Sequence, residues 1–153
     1  MKTKVFNLTI EAIIAVLLLL WIYTGLNKLI HYDKFRLEVS RSPFLQHVAP
    51  LVAVVIPIGE LLIATLLIFK KTRILGLYAS LFLMTLFTGY VYMMLHYAYD
   101  LPCSCGGIIE LLSWEQHLLV NFMLTLLTMI TILLQSRLDI IYKQHVLMNK
   151  QPD

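Results

Sequence analysis

The chain has 153 residues, of which 59% are hydrophobic and 14% charged, with a formal net charge of +3 and a mean hydropathy of +0.81. So few charges cannot cover a water-soluble fold of this size, which excludes that class, and the small net charge does not suggest a nucleic-acid partner. The apolar residues fall into four blocks long enough to cross a bilayer, which takes about 20 helical residues each. The fold class is therefore an all-α membrane protein, a four-transmembrane-helix bundle forming a single integral domain over residues 1–153.

The first span covers residues 10–29, with Lys2 and Lys4 ahead of it. A secretion signal begins in the same way, but this stretch runs on through Trp21 to Gly25 without a small-x-small cleavage site, so a retained span is expected. Lys28, at its outer end, either snorkels to the headgroups or pairs with a carboxylate at the same depth. In the following segment, 31–41, Tyr32, Phe35 and Val39 share one helical face, the pattern of a short helix lying in the interface. Ser42-Pro43 ends it.

The second span, 50–69, starts at Pro50 and carries Pro57, Gly59 and Glu60 in its middle. A carboxyl group inside a span is costly and faces the bundle interior with a partner. Glu60 is thus either a polar clamp between helices or a proton carrier to a quinone-like acceptor, with Thr85, Thr88 or Tyr90 in reach as hydrogen-bond donors. Glu11, at the inner edge of the first span, carries no such expectation. The cationic turn Lys70–Arg73 is tight enough to make the second and third spans antiparallel neighbours. In the third span, 74–95, Gly76 and Ser80 form a small-xxx-small pair that permits close helix contact. Tyr90, Tyr92, Tyr97 and Tyr99 gather toward its outer end, as interfacial aromatics do.

A loop over 97–112 contains Cys103 and Cys105, the two cysteines of the chain. Ser113 then caps the fourth span, 114–134, with Gln116 completing a Ser-x-x-Gln capping box. The polar tail 136–153 reads as a cytoplasmic extension of that helix. Eight basic residues lie before the first span, between the second and third, and after the fourth, against four after the first span and none in the cysteine loop. That distribution places both termini in the cytoplasm and the cysteine loop outside.

A thiol pair kept on an oxidising face points to thiol–disulfide exchange or to a soft-metal site. With one residue between them, Cys103 and Cys105 could close a small strained ring, and strained or exposed disulfides are the exchangeable ones. Such a bridge closes almost no loop, so its structural value is small. Gly106 and Gly107 leave the sulfurs accessible. His117, with Trp114 just before it, could lower a thiol pKa, relay protons, or join Cys103 and Cys105 in a Cys/Cys/His metal site. Asn121, one turn further along, could orient the imidazole. His96 with Met93 and Met94 would extend the metal alternative toward copper or zinc, although methionines in spans are ordinarily packing.

The stretches Gly25–Leu29, Phe35, Pro57–Glu60, Phe87–Tyr90 and Cys103–Gly107, with Ser113, Trp114 and His117, resemble the MauE branch of the DoxX-like membrane proteins over most of the chain, roughly Leu18 to Asn121. The resemblance implies a four-helix bundle comparable in plan to the quinone-coupled disulfide-forming proteins of the bacterial cytoplasmic membrane. It further implies a part in methylamine utilisation, assisting maturation of the disulfide-rich small subunit of methylamine dehydrogenase, with Cys103 and Cys105 as the redox pair. Gly-Gly follows the second cysteine here, where an aromatic residue and Gly are more usual. The expected activity is thiol–disulfide exchange with a periplasmic thioredoxin-like or client protein, with electrons passing to a lipid quinone. The alternatives are a copper- or zinc-handling protein using Cys103, Cys105, His117 and His96, and a non-catalytic assembly subunit.

Overall fold

The computed structural model describes residues 2–97 and 113–148, so Cys103 and Cys105 lie outside the described residues. Among the described residues five α-helices follow one another: α1 (Lys2–Ile30), α2 (Tyr32–Arg41), α3 (Ala49–Ile68), α4 (Arg73–Tyr97) and α5 (Trp114–Met148), with a 3-10 turn at Gln46–Val48 leading into α3. Four stretches of the described residues are long and apolar enough to cross a membrane: Asn7–Ile30, Gln46–Ile68, Arg73–Tyr97 and Trp114–Arg137. They are the four spans expected from the sequence. α1 and α5 extend beyond their spans, because hydropathy marks where a helix leaves the apolar layer, not where its backbone hydrogen bonding stops.

The spans form a closed ring in the order α1, α3, α4, α5, so each span neighbours the next in sequence, and α1 also touches α5. The core follows helical periodicity. Ile10, Ile14, Leu17 and Trp21 line one face of α1 and meet Ile63, Ala64 and Leu67 of α3, Leu77, Leu83 and Met84 of α4, and Ile132 of α5. Large apolar side chains such as Leu19, Leu62, Phe82 and Leu133 cover the outside. In water that surface would aggregate; around a bundle of this length it is the face presented to lipid.

Small residues set the helix separations. A Cβ on Gly76 would lie 3.1 Å from the backbone carbonyl carbon of Leu66, so α3 and α4 meet there backbone to side chain, as the Gly76/Ser80 spacing led one to expect. Ser80, fully buried, accepts a hydrogen bond of 2.8 Å from the indole Nε1 of Trp21, tying α4 to α1 across the ring. At the opposite end from α2, Arg73 pairs with Glu11 at 2.7 Å.

The threonines of the spans solve a local problem. Thr24, Thr65, Thr85, Thr88, Thr125, Thr128 and Thr131 each donate to the carbonyl four residues earlier in their own helix, which satisfies a hydroxyl where water is absent. Thr85 and Thr88 therefore do not supply Glu60 with hydrogen bonds.

The expected short helix after the first span is α2. Its apolar side, Phe35 and Val39, packs on Ala49 and Ala53 at the start of α3, and Glu38 is buried beside them. α2 thus covers one end of the bundle as a roof.

Candidate functional site: a roofed cavity around a buried ion pair

Beneath α2 lies a cavity of about 280 Å³ to which all five helices contribute. It is built from helical repeats. On α1, Trp21, Thr24 and Lys28 recur every three or four residues and face the same way. Gly25 lies on the same side, and a Cβ there would come within 3.0 Å of Leu61 Cγ and 3.3 Å of Glu60 Cβ. The missing side chain lets α1 approach α3 at the level of Glu60. Lys28, three residues on, is then directed at the carboxylate.

The Lys28 Nζ lies 2.5 Å from Glu60 Oε1, and the two side chains are 10% and 0% exposed. Lys28 does not snorkel outward; the pairing alternative read from the sequence is what the fold contains. The ammonium also lies 5.7 Å from the ring centre of Phe35 and 5.4 Å from that of Phe87, within the range of cation–π attraction. The roof helix and α4 thus each place an aromatic ring beside the buried cation.

Tyr90 of α4 also lines the cavity, and α5 supplies two further polar groups. Its first turn is fixed by the capping box expected from the sequence. The Ser113 amide donates to Gln116 Oε1 at 3.0 Å, and the Gln116 amide donates to Ser113 Oγ at 3.3 Å. One turn in, His117 and Asn121 are buried and line the cavity on one helical face. Trp114 is half-buried, its ring centre 6.4 Å from that of His117, and does not line the cavity.

The polar inventory is incomplete in an informative way. Glu60 Oε2 and His117 Nδ1 are buried and have no hydrogen-bond partner among the described residues. Buried polar atoms are ordinarily paired, so these two mark a position where a further polar group is accommodated. The rest of the lining is apolar or aromatic, including Leu20, Val52, Ile56, Leu83, Phe87 and Val91. The arrangement can hold a flat apolar molecule by its faces and a polar edge by the Lys28–Glu60–His117 corner.

Of the site residues singled out in the sequence, Lys28, Glu60, His117 and Asn121 come together here. His96 does not join them: it is exposed, its Nδ1 lies 3.0 Å from the Tyr92 carbonyl and its ring stacks on Tyr92. Met94 is buried, with its sulfur 3.7 Å from the Ser42 hydroxyl, a packing role. Among the described residues no three His, Cys, Asp or Glu side chains gather to hold a metal. Sequence reasoning missed Trp21, Phe87 and the roof residues Phe35 and Val39 as cavity walls. For the three aromatic residues the signal was a ring on the same face as Lys28 or facing it, which becomes visible only once the helix register is known.

The family model described as methylamine utilisation protein MauE matches residues 6–134, which takes in the first three spans, most of the fourth and every residue lining the cavity. No curated protein and no solved structure matches the chain.

Proposed function

The chain belongs to the MauE family of methylamine utilisation proteins, and from that premise we propose that it is a redox accessory protein of the bacterial cytoplasmic membrane. Cys103 and Cys105 exchange a disulfide with a periplasmic thioredoxin-like or client protein during maturation of a periplasmic enzyme such as methylamine dehydrogenase. A client thiolate attacks one sulfur of the Cys103–Cys105 disulfide and forms a mixed disulfide. A second client thiol resolves it, leaving the client oxidised and both cysteines reduced. The two electrons and two protons then leave for an acceptor in the bilayer.

The observation that carries this reading is the polar cluster of Lys28, Glu60, His117 and Asn121, set in an apolar cavity at one end of the bundle. α4 ends at Tyr97 and α5 begins at Trp114, so the cysteine segment leaves and rejoins the bundle at that end. Disulfide exchange coupled to a membrane acceptor requires buried groups able to hold and pass protons, and this cluster supplies them. Charge supports the orientation. Lys28 is sequestered with Glu60, so only Lys34, Arg36 and Arg41 remain as basic residues of the outer segment, against eight on the cytoplasmic side.

Alkylation trapping of Cys103 and Cys105 in intact membranes, with and without an added periplasmic dithiol, tests the proposal. Cycling between a bridged and a free pair is expected. A pair fixed in one state whatever is added would overturn it. Copper or zinc bound stoichiometrically and lost in Cys103→Ser would point to metal handling, and full function without either cysteine to an assembly role.

A further inference from the structure

We propose that the cavity beneath α2 binds the ring of a membrane quinone, its oxygen atoms held at the Lys28–Glu60–His117 corner. The inference rests on the redox reading above and names the acceptor and its seat. At about 280 Å³ the cavity lies at the small end of ligand pockets, room for one or two fused rings and not for a nucleotide or a flavin. Trp21, Phe35 and Phe87 offer aromatic surface against which a planar ring packs face-on or edge-on.

The polar atoms decide between occupants. Lys28 spends one of its three N–H groups on Glu60 Oε1 and has donors left for a carbonyl oxygen. Glu60 Oε2 and His117 Nδ1, both without partners among the described residues, can accept from the hydroxyls of the reduced ring. A saturated acyl chain would fill the volume and leave all of these atoms unpaired. A polar metabolite would leave the apolar walls uncovered. A quinone meets both demands, and its oxidised and reduced forms use different members of the same corner.

The step balances. The dithiol of Cys103 and Cys105 loses two S–H bonds and gains one S–S bond, while the quinone takes two electrons and two protons to become a hydroquinone. Glu60 and His117 are the buried groups on the proton side of that exchange.

The test uses the full-length chain in lipid nanodiscs. The chain has two tryptophans, so Trp114→Phe leaves Trp21, in the cavity wall, as the only reporter. Titration with decylubiquinone and with a short-chain naphthoquinone is expected to quench Trp21 saturably. Two variants are expected to weaken that binding at least tenfold: K28Q/E60Q, which removes both charges together, and V91F, which fills the cavity and leaves the ion pair intact. Because the two variants perturb the fold differently, either one that retains its helical circular dichroism suffices. Quenching that never saturates, that is unchanged in a folded variant, or that equimolar oleate abolishes overturns the site. The C103S/C105S chain is expected to bind quinone as the parent does. Binding there, combined with cysteines that never cycle in the parent, would remove the redox reading and leave the site. Cycling cysteines with no saturable binding would remove the site and leave the redox reading.

Discussion

Lys28 and Glu60, 32 positions apart and on different spans, close a 2.5 Å ion pair beneath the α2 roof, next to an interior core of apolar side chains. The pair neutralises both charges at a depth where neither would be tolerated alone, while Glu60 Oε2 is left without a partner among the described residues. It does not follow that it stabilises the fold relative to an apolar pair, because the desolvation of two charges offsets much of their attraction. Its physical value is orientation: it fixes the facing of α1 against α3 and keeps a carboxylate and an ammonium inside the cavity.

Breaking the pair from one side is therefore expected to cost far more than removing it. Lys28→Met or Glu60→Leu should each destabilise by about 3–5 kcal/mol, since each leaves a buried charge uncompensated. K28M/E60L should recover most of that loss. Reversible unfolding in mixed micelles measures all three, and equal losses in the singles and the double would contradict the buried geometry. Arg73 and Glu11 give the control, with Glu11 half-exposed at 51%. Glu11→Gln should cost about 1 kcal/mol or less.

The Trp21–Ser80 bond predicts an asymmetry of its own. Ser80→Ala leaves a buried indole N–H without an acceptor, and should destabilise by about 1–3 kcal/mol. Trp21→Phe removes the donor but also volume from the core, so its loss should be at least as large. In the double variant the loss should fall short of the sum of the singles, because the hydrogen bond is counted in each. Strict additivity in a double-mutant cycle would show that the bond does not form.

Glycines in the spans separate by what a methyl group would meet. Gly76→Ala pushes against Leu66 backbone, which cannot rotate away, and should destabilise by spreading α3 from α4. Gly25→Ala meets the Leu61 side chain, which has freedom to shift, so the loss should be smaller. Gly59 and Gly89 have nothing within 4 Å of a Cβ, and alanine there should stabilise by up to about 1 kcal/mol through helix propensity alone. Thermal midpoints in the same detergent rank the four.

Much of this architecture was legible before any coordinates. The four spans, the helix after the first, the capping box at Ser113 and the close contact at Gly76 each arise from local pattern, because hydropathy, capping and small-residue spacing act within a few turns. Glu60 is conspicuous in the sequence as a costly group, whereas Lys28 at a span end reads as readily as a headgroup anchor; their pairing depends on the register of α1 against α3, where Gly25 allows the close approach. For the same reason the sequence offers Thr85 and Thr88 as donors within reach of Glu60, whereas short-range bonding to their own helix carbonyls wins for both. α2 shows the limit of amphipathicity. Its apolar face was expected in the interface, and the pattern cannot distinguish burial by lipid from burial by Ala49 and Ala53.

The capping box carries a prediction that links the fold to the proposed activity. Ser113 and Gln116 exchange hydrogen bonds at the start of α5, and the His117 amide donates to the Ser113 carbonyl at 2.9 Å, so the turn that orients His117 is anchored by this cap. Ser113→Ala removes the side-chain acceptor and should weaken the first turn by about 1 kcal/mol. That is about a fivefold rise in hydrogen exchange at the amides of Gln116 and His117, since 1.4 kcal/mol corresponds to about tenfold. Ser113→Asp restores an acceptor and adds a negative charge at a helix N-terminus, so protection should return. If His117 takes part in proton transfer, re-oxidation of Cys103 and Cys105 should slow in Ser113→Ala and recover in Ser113→Asp, in step with the exchange rates. Recovery of protection without recovery of re-oxidation would separate His117 from the redox step.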